Sequence, residues 1–231
     1  MRLKTIYVTL VAVASVMAPA FPFAKILKVN QHDGLTYVWV PPGGYMMGCS
    51  PGDSECFAWE KPTRQVKIDK GFWIGETEVT QRAYRRVIGK NPSRYRGSDL
   101  PVDQLAWDNA RTYCETVGLR LPTEVEWEYA ARGGTAASRY GSLESVAWYD
   151  GNSNDQTHRV ATKKPNPFGL FDTLGNVWEW VQDSYERSGK KMRILRGASF
   201  YNLARDLRVS NRLWALPETD HRNMGVRCAG Y

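Results

Sequence analysis

Beyond its first twenty residues the sequence has no apolar run long enough to cross a bilayer, which takes about 20 residues. It has no low-complexity tract and no long run of basic residues. Its three histidines, His32, His158 and His221, stand far apart, and no Cys-x-x-Cys pair or glycine-rich phosphate loop is present. These absences argue against a membrane-spanning helix, a zinc module with ordinary ligand spacing and a nucleotide-binding loop. The net charge is +7, from 31 basic minus 24 acidic residues. The basic residues are scattered, so no nucleic-acid partner is expected.

The N-terminus carries an address. Arg2 and Lys4 form a basic start, Ile6 to Met17 is uncharged and almost wholly apolar or small, and Ala18-Pro19-Ala20 supplies a small-x-small cleavage site. This order predicts a secretory signal peptide over residues 1–20. An uncleaved membrane anchor is the rival, but the apolar run is too short for one. The reading is a secreted or periplasmic protein with no transmembrane segment. A short N-terminal extension, residues 21–34, would precede one domain over residues 35–231, long enough for a sizeable core.

Cysteine is scarce: Cys49, Cys56, Cys114 and Cys228. The count is even, and exported chains form and keep disulfides. Three pairings are possible. A Cys49–Cys56 bridge would close one polar segment, and Cys114–Cys228 would then tie a helix to the C-terminus.

Leu35 to Pro41 is rich in strand-forming residues, and Gln65 to Ile68 alternates polar and apolar like a half-buried strand. Pro42-Gly43-Gly44 reads as a turn, and Gly71 to Thr77 as core. Three helices are expected. One opens at Thr80 and stops at Gly89. A second covers about Trp107 to Val117, with Cys114 on its buried face. A third opens on the capping box Thr123-Glu124-Val125-Glu126 and ends at Gly133. From Gly134 onward the composition predicts loops and short strands. Together these elements indicate an α+β fold, loop-rich, with few helices and a small irregular antiparallel sheet.

Several stretches resemble the formylglycine-generating enzyme, or sulfatase-modifying factor, family. They include Pro42-Gly43-Gly44-Tyr45-Met46-Met47-Gly48, Glu76-Thr77-Glu78-Val79-Thr80-Gln81 and Arg120-Leu121-Pro122-Thr123-Glu124-Val125-Glu126-Trp127. Gly169 to Trp180, Arg196-Gly197-Ala198-Ser199-Phe200 and Gly225-Val226-Arg227-Cys228 complete the match. The resemblance implies a variant of the C-type lectin fold and a bridge from Cys114 to Cys228. It also implies a calcium site at Asp172, Gly175, Val177 and Glu179, two carboxylates and two backbone carbonyls, a hard-oxygen set. The alternative is that Glu179 is a buried, hydrogen-bonded carboxylate without an ion.

Enzymes of this family use oxygen and a copper ion on two cysteines that follow the motif matching Arg196 to Phe200. Here no cysteine lies between Arg196 and Arg227, and the matching positions are Asn202 and Leu207. Copper(I) requires soft thiolate ligands, so no copper is expected. No catalytic residue is assigned for formylglycine generation. Phe200 to His221 mixes aromatics with arginine, the composition of a binding face for a protein or surface ligand. The candidate positions are Phe200, Tyr201, Asn202, Leu203, Asp206, Leu213, Trp214, Ala215, Glu218, Thr219 and His221. This stretch also resembles the changeable segment in variable proteins of diversity-generating retroelements. The expectation is a non-catalytic binding domain. The competing reading is an exported oxidoreductase or maturation enzyme of different chemistry, with Asp183 and Glu186 as a possible acid/base pair.

Overall fold

The structure is a computed structural model that describes residues 25–231. The signal-peptide reading of residues 1–20 lies outside the described residues. Strand β1 (Leu27–Val29) is the edge of a four-stranded antiparallel sheet in the order β1-β2-β5-β10, with β2 Thr36–Val40, β5 Phe72–Gly75 and β10 Ala229–Gly230. Within the stretch read as an N-terminal extension, β1 pairs with β2 from Leu27↔Val38 to Val29↔Thr36. A two-stranded sheet joins β3 (Gly43–Met47) to β4 (Arg64–Ile68). Gly43 and Gly44, expected in a turn, thus lie in a strand; at Gly43 a Cβ would fall 2.2 Å from the Tyr129 hydroxyl.

The helices follow their local signals. In α1 (Gln81–Ile88) the Thr80 hydroxyl accepts from the Ala83 amide, and Gly89 closes the helix at φ +81°. Helix α2 (Trp107–Thr116) buries Trp107, Ala110, Tyr113 and Cys114. Helix α3 (Glu124–Arg132) forms the Thr123/Glu126 capping box, and Arg120 grips Glu126 with two bonds of 2.7 Å. A further short helix, α4 (Leu143–Val146), lies in the half whose composition predicts loops and short strands.

The C-terminal half holds a longer hairpin than expected. Strand β6 (Trp178–Arg187) pairs antiparallel with β7 (Lys190–Arg196), and β8 (Arg212–Ala215) and β9 (Met224–Gly225) complete the order β8-β7-β6-β9. Ser188 and Gly189, both at positive φ, make the two-residue turn that suits the twist of a hairpin. Three buried tryptophans stitch this sheet to the rest. Trp107 Nε1 donates to the Val181 carbonyl, Trp180 Nε1 to the Leu105 carbonyl and Trp127 Nε1 to Glu179, so each of these three buried indole N–H groups is paired. Both disulfides form, Cys49–Cys56 and Cys114–Cys228. The second joins α2 to the residue just before β10.

Candidate functional site

The cysteine chemistry is the first constraint. All four cysteines are in disulfides and none is free. Asn202 and Leu207 occupy the positions where copper-binding thiolates would be sought. Asn202 accepts from the Ser199 amide and hydroxyl and donates to Asp206, while Leu207 is buried. Neither side chain offers a soft ligand.

The eleven candidate binding positions do not share one environment. Phe200 is fully buried, its ring packed against Tyr95, so it belongs to the core and not to the binding face. Its burial follows from a backbone locked at both ends, where the Phe200 amide donates to Asn176 and its carbonyl accepts from Ser153. Tyr201 and Leu203 stand out at 55% and 52% exposed. Asn202 and Asp206 are half-buried and bonded to each other, and Thr219 is half-buried. Glu218 and His221 are exposed, and a hydrogen-bonded chain runs from His221 through Asn223 and Ser199 to Asn202.

Leu213, Trp214 and Ala215 lie on β8 and form a second locus. Trp214 meets Trp59 edge-on at 5.4 Å and tilts against Tyr185 at 5.3 Å. Trp59, itself stacked on Phe57 and 44% exposed, escaped sequence reasoning. Its only sequence signal is its place just after the Cys49–Cys56 segment.

Beside this aromatic wall opens a cleft of about 300 Å³, lined by Trp59, Lys61, Arg64, Glu124, Arg196 and Arg212 among others. Its floor is a ladder of alternating charge. Arg132 pairs with Glu128 at 2.7 Å, Glu128 also pairs with Arg196, and Arg212 reaches Glu124 at 2.6 Å. Arg196 is further fixed by the carbonyls of Val209, Ser210 and Asn211. Burial pushes the Arg212 guanidinium down and the Glu124 carboxyl up, the arginines only partly offsetting the latter. The Nε atoms of Arg196 and Arg212 are buried without an acceptor.

Of the expected calcium ligands, both Glu179 oxygens and one Asp172 oxygen are engaged by protein donors. Glu179 accepts from Arg227 through Nε and Nη2 and from Trp127 Nε1 at 2.6 Å. Asp172 Oδ2 accepts from the Ala161 amide, leaving Oδ1 as a buried oxygen with no partner. Beside them Glu78 accepts from Asn176 and the Val177 amide, and burial holds its carboxyl well above the usual range. At Gly175 a Cβ would fall 2.1 Å from the Trp148 carbonyl, so this glycine is required for packing. Calcium takes six to eight oxygens, and here a guanidinium holds both oxygens of Glu179, so an ion at this place would compete with Arg227 for that carboxylate. No group of three or more His, Cys, Asp or Glu side chains among the described residues is placed to hold a metal. Asp183 caps α3 by accepting from the Glu124 amide at 2.6 Å.

Residues 22–230 match the family described as the sulfatase-modifying factor enzyme 1-like domain. The inactive C-alpha-formylglycine-generating enzyme 2 of Mus musculus is 34% identical over 182 residues, 70% of this chain and 56% of its own length. The formylglycine-generating enzyme of Streptomyces coelicolor is 34% identical over 194 residues, 68% of this chain and 60% of its own. The chain thus spans somewhat over half the length of these curated relatives. Among solved structures, Treponema denticola variable protein 1 superposes with a TM-score of 0.78 at 26% identity, covering 92% of this chain and 99% of that one. Sequence motifs, bridges and architecture agree that the chain belongs to the sulfatase-modifying factor family and adopts its variant of the C-type lectin fold.

Proposed function

We propose that this chain is an exported, non-catalytic member of its family, a binding domain whose C-terminal loops and β8 present the contact surface. One observation carries the reading: no thiol is free, and Asn202 and Leu207 stand where copper-binding cysteines would be needed. The exposed aromatic and apolar groups Tyr201, Leu203 and Leu213, with the Trp214–Trp59 pair, supply a contact face on a rigid scaffold. Likeness to an inactive relative and to a variable protein supports the same reading.

The decisive assay incubates the purified protein with copper, oxygen and a cysteine peptide of sulfatase type, and follows mass. No aldehyde product is expected. Turnover, or stoichiometric copper or iron in the isolated protein, would sink the reading. The variable-protein version has its own check. A reverse transcriptase and a near-copy repeat differing at adenines should lie beside the coding sequence; their absence would leave an invariant binder.

A further inference from the structure

The cleft beside Trp59 is chemically one-sided. Each carboxylate lining it is answered from within: Glu60 by Arg208 and Ser210, Glu124 by Arg212, and Glu128 by Arg132 and Arg196. Glu124 Oε1, the one oxygen without a hydrogen bond, faces Arg196 at 3.7 Å. The cations are not used up. Lys61 and Arg64 are exposed, and no ion pair among the described residues involves either; Arg64 reaches only the Met47 thioether, at 3.2 Å. What the cleft can still offer a ligand is therefore donors and positive charge, bordered by the apolar surfaces of Met47, Trp59 and Pro62.

That combination selects a group that only accepts hydrogen bonds and sits on a short apolar stem. A carboxylate has this character, since ionised Asp and Glu are acceptor-only and match a guanidinium fork. A neutral sugar fits less well, because each hydroxyl also needs an acceptor, and of the lining carboxylate oxygens only Glu124 Oε1 lacks a hydrogen bond, itself facing Arg196. The surroundings indicate how such a group arrives. β8, which carries Arg212 into the cleft, is the edge of its sheet among the described residues. An extended peptide can pair with such an edge and drop alternate side chains into adjoining pockets.

Resting on the reading of the chain as a binding domain, we propose that this cleft is a receptor for an Asp or Glu side chain of an extended peptide segment in a protein partner. The carboxylate docks against Lys61, Arg64 and Arg212, and the flanking residues pack on Trp59 and Trp214.

The test selects random ten-residue peptides from a displayed library on the mature protein and measures affinities by fluorescence polarisation. Selected peptides should share an acidic residue. Replacing it with Gln or Asn should weaken binding about tenfold or more, the scale of a lost charge-assisted bond. The double variant Lys61→Gln, Arg64→Gln should lose as much while keeping the wild-type melting temperature, since both side chains are exposed and unpaired. Raised salt should weaken the same peptides. Peptides without an acidic preference, affinities indifferent to the double variant, recovery of no peptide at all, or an array on which acidic glycans bind and peptides do not, would each overturn the proposal. Neutral peptides lost on Trp214→Ala would do so while leaving the binding-domain reading intact, and aldehyde formation would remove that reading separately.

Discussion

Buried charges are where single residues matter most in this molecule. Arg227 is fully enclosed and spends its guanidinium on Glu179 and on the carbonyls of Gly75 and Phe171. Arg227→Met should therefore cost about 3–5 kcal/mol, the scale for stranding one partner of a buried pair. Adding Glu179→Gln should restore part of that loss, read by urea denaturation. Chelator should leave the melting temperature unchanged, because the guanidinium already neutralises this carboxylate; a chelator-dependent drop would restore the calcium expectation. Asp103 supplies a pH dependence. It is buried, accepts from the Arg94 amide at 2.7 Å and leaves Oδ2 without a partner, and burial pushes its carboxyl up to about 6. The folded state then holds this proton more tightly than the unfolded chain, where an aspartate titrates near 4. The Asp103 contribution is at its best below about pH 4 and is lost as pH rises through 6, by roughly 3 kcal/mol. Asp103→Asn should flatten that window relative to wild type in melts from pH 4 to 7.

At the scale of elements the two disulfides should differ sharply. The Cys114–Cys228 bridge closes 114 residues and Cys49–Cys56 only 7. Chain entropy alone assigns about 5 kcal/mol to the first and about 2 to the second. Ser replacements of each pair, compared by denaturant midpoint, should keep that order. The helices were legible in the sequence because their signals are local: Thr80, Gly89 and the Thr123/Glu126 box act within a turn or two. The β6–β7 hairpin was not. The second half of β6, Gln182 to Arg187, is mostly exposed and polar, so no apolar alternation marks it, and only Ser188-Gly189 hints at the turn. The cleft was illegible for another reason. Trp59 meets Trp214 across more than 150 residues, and no pattern along the chain announces such a contact. The Arg227–Glu179 pair was illegible on the same ground, since its partners lie 48 residues apart.

For the whole molecule, export is the claim with the widest consequence. The N-terminus of protein recovered from the periplasm or medium should begin near Phe21, and material made in a reducing cytosol should be less stable by the bridge contributions above. An intact Met1 on the exported protein would contradict the signal-peptide reading. No helix among the described residues is long and apolar enough to cross a membrane. The fold also divides the stretch from Tyr201 to Asn223 into two interleaved classes. Leu207, Val209, Ser210 and Asn211 are buried, and the backbone of the last three holds Arg196. Tyr201, Leu203, Ala204, Arg205, Leu213, Glu218 and Asp220 are exposed. One set is fixed by the interior and the other answers only to whatever lies outside. Heritable change can therefore rewrite the outward set in a single lineage without first securing compensating changes within, at little risk of losing the fold.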